Sequence, residues 1–473
     1  MNISVIGTGY VGLVSAVCFA ELGHKVVGVD NDPAKLLALQ EGRVPIHENL
    51  LPELLERHLG RGLTFTSSIA DAVHASDVIF ITVGTPPSAN GDADLCHVEA
   101  VIREVARHVD SRKLIVEKST VPVRTCDSIR RTMELNGAAP HLFSVASNPE
   151  FLREGTAVVD FLYPDRILIG VDDEFSEEML RIIYAPLWDG SYYRRESLVH
   201  ENESSPRRLI VTNTKSAELI KHASNAFLAM KISFINAISN FAERVGADID
   251  EVTQGMGADS RIGMSFLKAG IGYGGSCFPK DVLAFRAVAR DAGYDFDLLD
   301  SVMRINRDQR KLFLGKVREA LWTLRGKRIA ILGLAFKAGT DDIRESPAME
   351  IIHALLKEGC VISAYDPVAM PRALGELQMR EAGERVEMAE DIYSAAQDAD
   401  ALLILTEWSQ FANLDLQKLR QRMRLPVIVD GRNLYRPEKM EAAGFDYYSI
   451  GRAPAFAMDR INTNEELEFQ NVA

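Results

Sequence analysis

The stretch Gly274-Gly275-Ser276-Cys277-Phe278-Pro279-Lys280-Asp281 sets a lone thiol between two glycines and a proline suited to open a helix. Gly275 admits a ligand close to the backbone, and a helix N-terminus facing Cys277 favours its thiolate. Lys280 and Asp281 add a cation and a base at the same address. A free cysteine also serves as a small core hydrophobe, so the octapeptide alone leaves both readings open. Glu150 and Glu154, in Asn148-Pro149-Glu150-Phe151-Leu152-Arg153-Glu154-Gly155, stand four residues apart, which places two carboxylates on one face of a helical turn. A solvated helix start accounts for that pair equally well. Lys221 and Asn225, again one turn apart, offer a cation and an amide to a developing oxyanion, against the plain alternative of an exposed lysine.

Such groups act only if elements hold them beside a substrate. Ile3 to Ile6 has the pattern of a buried strand and runs into Gly7-Thr8-Gly9-Tyr10-Val11-Gly12, followed by an apolar helical stretch from Leu13 to Leu22. A second strand, Lys25 to Val29, ends at Asp30. This is the dinucleotide fingerprint in its required setting: Gly7 turns the chain, Gly9 admits a pyrophosphate, Gly12 lets the helix pack, and Asp30 meets a ribose hydroxyl. An acid there favours NAD over NADP, because it repels a 2′-phosphate. Strands from Asp77 to Val83 and from Leu114 to Glu117 end in Gly84-Thr85-Pro86 and Lys118-Ser119-Thr120-Val121-Pro122. Thr85, Ser119 and Thr120 therefore stand at carboxyl strand ends, where ligands sit, although hydroxyls near turns also cap helices.

Asp165 to Gly170 returns to strand character, and Trp188 to Arg208 is charged and polar, as in a solvated loop. From Thr214 to Val245 the helical period persists without glycine or proline, which predicts a helix of roughly 45 Å. A helical run is expected to continue beyond Cys277 to about Arg310. A second nucleotide-fold pattern follows: strand Arg328 to Leu332, turn Gly333 to Lys337, helix Ala348 to Lys357, and strand Val361 to Tyr365 ending at Asp366. It lacks the GxGxxG, so it suits a different phosphate-bearing ligand, with Lys337 as a point charge. Ala401 to Leu405 and Val427 to Val429 extend the same sheet, and Arg432 follows the last strand. The fold expected is α/β: two Rossmann-like doubly wound domains joined by a long central helix. The expected divisions are 1–205 (NAD-binding), 206–315 (central helical), 316–453 (second Rossmann-like, nucleotide-binding) and 454–473 (flexible tail).

The 473 residues exceed what one core organises, and 47% hydrophobic with 25% charged residues is ordinary for a soluble globular chain. A net charge of −14 disfavours nucleic acid and anionic membranes as partners. No apolar run is long enough to span a bilayer, and Met1 leads straight into a strand without a basic leader, so the expected location is cytoplasmic. Five scattered cysteines show no metal-ligand spacing, so no metal is expected.

GTGYVGL at 7–13, EKSTVP at 117–122, NPEFLREG at 148–155, AELIKHASN at 217–225, GGSCFPKD at 274–281 and AFKAGTDDIRESP at 335–347 together resemble the nucleotide-sugar 6-dehydrogenases over nearly the whole chain. The resemblance implies oxidation of C6 of UDP-glucose to a carboxylate with two NAD⁺, and a homodimer or higher homo-oligomer, with dimerisation assigned to 206–315 and UDP-sugar binding to 316–453. It implies Cys277 as nucleophile, Glu150 as the base for hydrolysis, Thr120 and Asp281 as holders of a water, and Lys221 and Asn225 as oxyanion stabilisers. For the cofactor it implies Gly7, Gly9, Tyr10, Val11, Gly12, Asp30, Lys35, Thr85, Ser119, Thr120, Glu154 and Arg344. For the sugar nucleotide it implies Glu150, Phe151, Leu152, Lys221, Asn225, Tyr273, Gly274, Phe336, Lys337 and Arg432, with Arg261 reaching in from a neighbouring subunit. GDP-mannose is the competing substrate, and a two-electron β-hydroxyacid dehydrogenase or a non-catalytic sugar-nucleotide sensor are the more distant readings.

Overall fold

In the computed structural model, which describes residues 1–88, 91–194, 208–379 and 385–457, the strands form two sheets of eight and six members. The first contains β1 (Asn2–Ile6), β2 (Lys25–Val29), β3 (Leu63–Thr66), β4 (Val78–Ile81), β5 (Lys113–Glu117), β6 (Phe143–Ser147), β7 (Arg166–Gly170) and β8 (Arg208–Thr212). The second contains β9 (Arg328–Leu332), β10 (Val361–Tyr365), β11 (Val386–Met388), β12 (Ala401–Ile404), β13 (Val427–Asp430) and β14 (Asp446–Tyr448). Their spatial orders are β3-β2-β1-β4-β5-β6-β7-β8 and β11-β10-β9-β12-β13-β14. The first six strands of each sheet thus repeat one doubly wound order, with the switch in strand order beside β1 and beside β9. Pairing is parallel throughout, except that β6 meets β7 antiparallel at Ser147 and Gly170.

Alternation of side chains across a strand explains why the central strands are apolar without interruption. In β4, Val78 and Phe80 join one core with Leu13, Phe19 and Phe161, while Ile79 and Ile81 join the opposite core with Ile102 and Ile129. In β12, Ala401 and Leu403 face a core with Phe313 and Ile352, and Leu402 and Ile404 face one with Phe411 and Tyr447.

The chain divides into two units, Met1–Ser224 with Leu283–Tyr294, and Asn225–Val282 with the chain from Asp295 onward. The helix Thr214–Val245 begins in the first and ends in the second. Its bounds are those the period predicts. The run expected from Cys277 to Arg310 is instead two helices, Phe278–Asp291 and Asp297–Leu321. They are separated where Gly293 takes a φ of +75°.

A larger correction concerns residues 148–155. Glu150 and Glu154 do not share a helical turn: the segment is irregular, and helix begins only at Ala157. Pro149 supplies no backbone donor, and side chains from elsewhere in the unit take up the segment's polar groups instead. Of the charged stretch 188–208, residues 195–207 lie outside the described residues, and Arg208 already opens β8. Of the expected tail, Ala455 exchanges backbone hydrogen bonds with Tyr447 at 2.8 and 3.0 Å, and 458–473 lie outside the described residues. No helix among the described residues is long and apolar enough to cross a membrane.

Candidate active site

In the first unit the turn after β1 is shaped for a pyrophosphate. A Cβ on Gly12 would stand 1.8 Å from the Gly7 carbonyl oxygen, so only glycine lets the following helix start there, whereas a Cβ on Gly9 would meet nothing within 4 Å. Space is thus open where a ligand must approach and closed where the helix must pack. Beyond β2, Asp30 accepts from the Thr8 amide at 2.9 Å, the Thr8 hydroxyl at 2.7 Å and Lys35 Nζ at 2.9 Å. Burial works to raise its pKa, but the hydrogen bonds from Lys35 and Thr8 outweigh it and hold the carboxyl below the usual range. An anionic Asp30 beside an open turn fits NAD, so the residues present suit that cofactor.

Thr85 and Ser119 are turned inward among their neighbours. Thr85 Oγ1 donates to the Thr120 carbonyl at 2.8 Å, and Ser119 Oγ donates to the Ile81 carbonyl at 3.3 Å. Both hydroxyls therefore pin the loop that carries Thr120.

The segment 148–155 is held at its start by Asn148. Asn148 Oδ1 accepts from Lys118 at 3.0 Å and from the Tyr184 hydroxyl at 2.6 Å, and its Nδ2 donates to the Leu168 carbonyl at 2.8 Å. Two residues on, Lys221 Nζ donates to both the carbonyl and Oε1 of Glu150, at 2.7 and 2.8 Å, with both side chains buried. Glu150 Oε2 accepts from the Leu152 amide at 2.6 Å. The Phe151 ring lies 3.7 Å from the Arg166 guanidinium and 5.3 Å from Lys221 Nζ, a cation–π arrangement with two cations. Lys221 and Glu150 thus form a buried ion pair in which each balances the other's charge.

In the second unit Cys277 is half-buried just before the helix Phe278–Asp291, with Ser276 Oγ 3.5 Å from its sulfur. Asp281, one turn on and 1% exposed, meets Lys280 Nζ at 2.7 Å and accepts from Asn225 Nδ2 at 2.6 Å. Gly275 has a φ of +83°, and a Cβ there would stand 2.7 Å from the Phe336 ring. Its amide donates to the Arg344 carbonyl at 3.0 Å, so the thiol loop lies directly on the loop after β9. Arg432 joins them, donating to the carbonyls of Leu405 at 2.8 Å and Phe336 at 3.1 Å. Lys337 Nζ stands 5.5 Å from the Phe336 ring. Tyr273, its hydroxyl pushed up to about 12 by burial, is fixed through its backbone by Asn306 and Arg310. Arg344 pairs with Asp342 at 2.7 Å and is otherwise largely exposed. Arg261 is not gathered with these residues. It is 87% exposed and pairs with Asp259 at 2.5 Å.

Family models match this chain in three successive segments of one family, UDP-glucose/GDP-mannose dehydrogenase: its NAD binding domain at residues 1–188, its central domain at 215–308 and its UDP binding domain at 330–437. The chain belongs to the UDP-glucose/GDP-mannose dehydrogenase family. It is an NAD-dependent oxidoreductase. Relatives in the UDP-glucose/GDP-mannose dehydrogenase family include the UDP-glucose 6-dehydrogenase TuaD of Bacillus subtilis (strain 168), 46% identical over 95% of this chain and 93% of its own. The UDP-glucose 6-dehydrogenase of Rhizobium meliloti (strain 1021) is 46% identical, covering 96% of this chain and 100% of its own. A solved UDP-glucose dehydrogenase from the hyperthermophilic archaeon Pyrobaculum islandicum superposes with a TM-score of 0.85 at 39% identity, over 96% of this chain and 98% of that one.

Sequence reasoning passes over two charged groups beside the family's Ser119 and Thr120. Glu117, the last residue of β5, is fully buried and accepts from the Ser119 amide at 2.7 Å. Burial pushes its carboxyl up to about 8, and the nearby Glu218 adds to the rise. Lys118 is buried too, and burial brings its ammonium down to about 8. Two adjacent opposite charges directly after the apolar run Leu114–Val116 were the available signal, since charged side chains are rarely fully buried unless paired.

Proposed function

We propose that this enzyme oxidises C6 of UDP-glucose to the carboxylate of UDP-glucuronate through a covalent intermediate on Cys277. The observation that carries the reading is the thiol loop: a half-buried sulfur opens a helix whose next turn presents Asp281, pinned by Lys280 and Asn225. NAD⁺, when bound, accepts a hydride at each of the two oxidations. In the first, the C6 hydroxyl gives up a hydride and a proton and becomes an aldehyde. Cys277 Sγ then adds to that carbon, the carbonyl electron pair moves to oxygen, and a thiohemiacetal results once the oxygen takes a proton. Loss of a hydride from carbon and a proton from oxygen leaves a thioester. Water adds to the thioester carbon, the C–S bond breaks, and the sulfur leaves as thiolate.

Glu150 takes the proton from that water, and the Lys221 ammonium that holds Glu150 fixes its geometry. Thr120 and Asp281 hold the water, while Lys221 and Asn225 stabilise the negative oxygen of the adducts. Phe151, Leu152, Tyr273, Gly274, Phe336, Lys337 and Arg432 clasp the sugar nucleotide, and Asp30, Lys35, Thr85, Ser119, Glu154 and Arg344 serve the cofactor. Residues 1–205 carry the cofactor work, 206–315 dimerisation and 316–453 the UDP moiety.

The active form is a homodimer or a larger assembly, working in the cytoplasm. Phe227, Phe234 and Phe241, 57%, 48% and 62% exposed, recur every seven residues along the helix Thr214–Val245, a spacing that keeps them on one face and suits a second copy. In that assembly the exposed Arg261 serves the neighbouring copy's substrate.

Presenting purified enzyme with NAD⁺ and UDP-glucose, UDP-N-acetyl sugars or GDP-mannose tests the substrate assignment by kcat/KM. Turnover of UDP-glucose at least tenfold above the others is expected. A preference for GDP-mannose would overturn the assignment.

A further inference from the structure

Between Glu41 and Leu50 the first unit carries a segment of exposed and half-buried residues in which one residue, Glu48, is buried, to 4% exposure. A carboxyl group is buried only where partners repay its desolvation. The partners here come from two separate motifs. Glu48 Oε2 accepts from the hydroxyl of Tyr10, in the glycine-rich turn, and from the amide of Gly155 at 2.7 Å. That amide is shared with the Tyr10 oxygen at 2.8 Å, which closes a three-membered cluster. The next residue, Asn49, donates from Nδ2 to the Gly155 carbonyl at 2.9 Å. Gly155 is therefore gripped by both its amide and its carbonyl, in a left-handed conformation with φ +85° that strains any other residue.

Gly155 ends the segment that carries Glu150 and Glu154. The start of that segment is tied by Asn148 to Lys118 and Tyr184. Its end is tied to the glycine-rich turn by the Tyr10 and Glu48 hydrogen bonds at Gly155. We propose that Glu48 is a positioning residue, which ties the pyrophosphate turn to the carboxylate segment so that a filled cofactor turn and a correctly placed Glu150 and Glu154 support each other. Tyr10 is the link on the cofactor side, and its hydroxyl stays protonated because burial and the Glu48 charge raise its pKa. A protonated hydroxyl can donate to Glu48 and accept from Gly155 at once, which a phenolate cannot.

The proposal rests on Glu150 serving hydrolysis and Glu154 serving the cofactor; adduct accumulation in Glu150→Gln tests the first of these separately, and ratios between the Glu48 and Tyr10 variants test the tie. Steady-state kinetics with UDP-glucose and NAD⁺ are to be measured for Glu48→Ala, Glu48→Gln, Tyr10→Phe and the pair Tyr10→Phe with Glu48→Ala, alongside Tm. Glu48→Ala and Tyr10→Phe should each lower kcat/KM for NAD⁺ about tenfold, as loss of a buried hydrogen bond does, with KM for UDP-glucose within about twofold. The pair should be no worse than Glu48→Ala alone, and Glu48→Gln, which still accepts both bonds, should recover most of the loss. Multiplicative losses in the pair, or a fall in Tm without change in kcat/KM, would overturn the proposal. Tyr10→Phe removes one hydroxyl and keeps the ring, so it carries the test alone if Glu48→Ala does not fold.

Discussion

Lys221 holds Glu150 by its carbonyl and its carboxyl group together, so the carboxylate assigned to thioester hydrolysis is fixed in place before any substrate arrives. Glu150→Gln keeps the shape and removes the base. It should slow hydrolysis by about a hundredfold or more, and the sugar nucleotide should then accumulate on Cys277, read as added mass on the intact protein during turnover. Unmodified protein throughout turnover would contradict the assignment. Glu117 behaves differently. Its folded pKa of about 8 exceeds that of a free carboxyl, so the folded state binds the extra proton between the two values and loses stability as pH rises through that window. Glu117→Gln mimics the neutral acid. Its Tm relative to wild type should be near zero difference at pH 5 and should become positive by pH 8; a constant difference across that range would show that Glu117 is not protonated in the fold.

At the scale of elements, the two sheets owe their legibility to burial. The strands β1, β2, β4, β5, β9, β10, β12 and β13, flanked on both sides by neighbours, read in sequence as apolar runs. The four edge strands, β3, β8, β11 and β14, give no comparable signal because they are short or mixed in character, and β6 also escapes. Irregular segments fare worse, since their form is set by tertiary ties: nothing local to Glu150 announces Lys221, and nothing near Gly155 announces Glu48. The glycine turn and the strand ending at Asp30 were legible because their geometry is local to one strand and turn. Helix surfaces carry a further prediction. Phe234→Glu places a charge in the middle of the exposed phenylalanine stripe and should shift the assembly toward monomer in light scattering, with Tm of the monomer unit within about 2 °C because Phe234 is half exposed. An unchanged mass would place the subunit contact elsewhere.

Across the whole molecule, two sheets that share one parallel six-strand order present different loops at the carboxyl ends of those strands. One has the open glycine turn with Asp30; the other has Gly274, Phe336 and Arg432 gathered around the thiol loop. On the proposed route the first oxidation forms no bond to the protein, and only the second requires the Cys277 thiol. NADH formed per molecule of UDP-glucose consumed therefore tests the central claim most directly, in the wild type and in Cys277→Ser. The wild type should form two, and Cys277→Ser should fail to complete the second oxidation while still binding NAD⁺. One NADH per substrate from the wild type, or full uronate formation by Cys277→Ser, would contradict the covalent route.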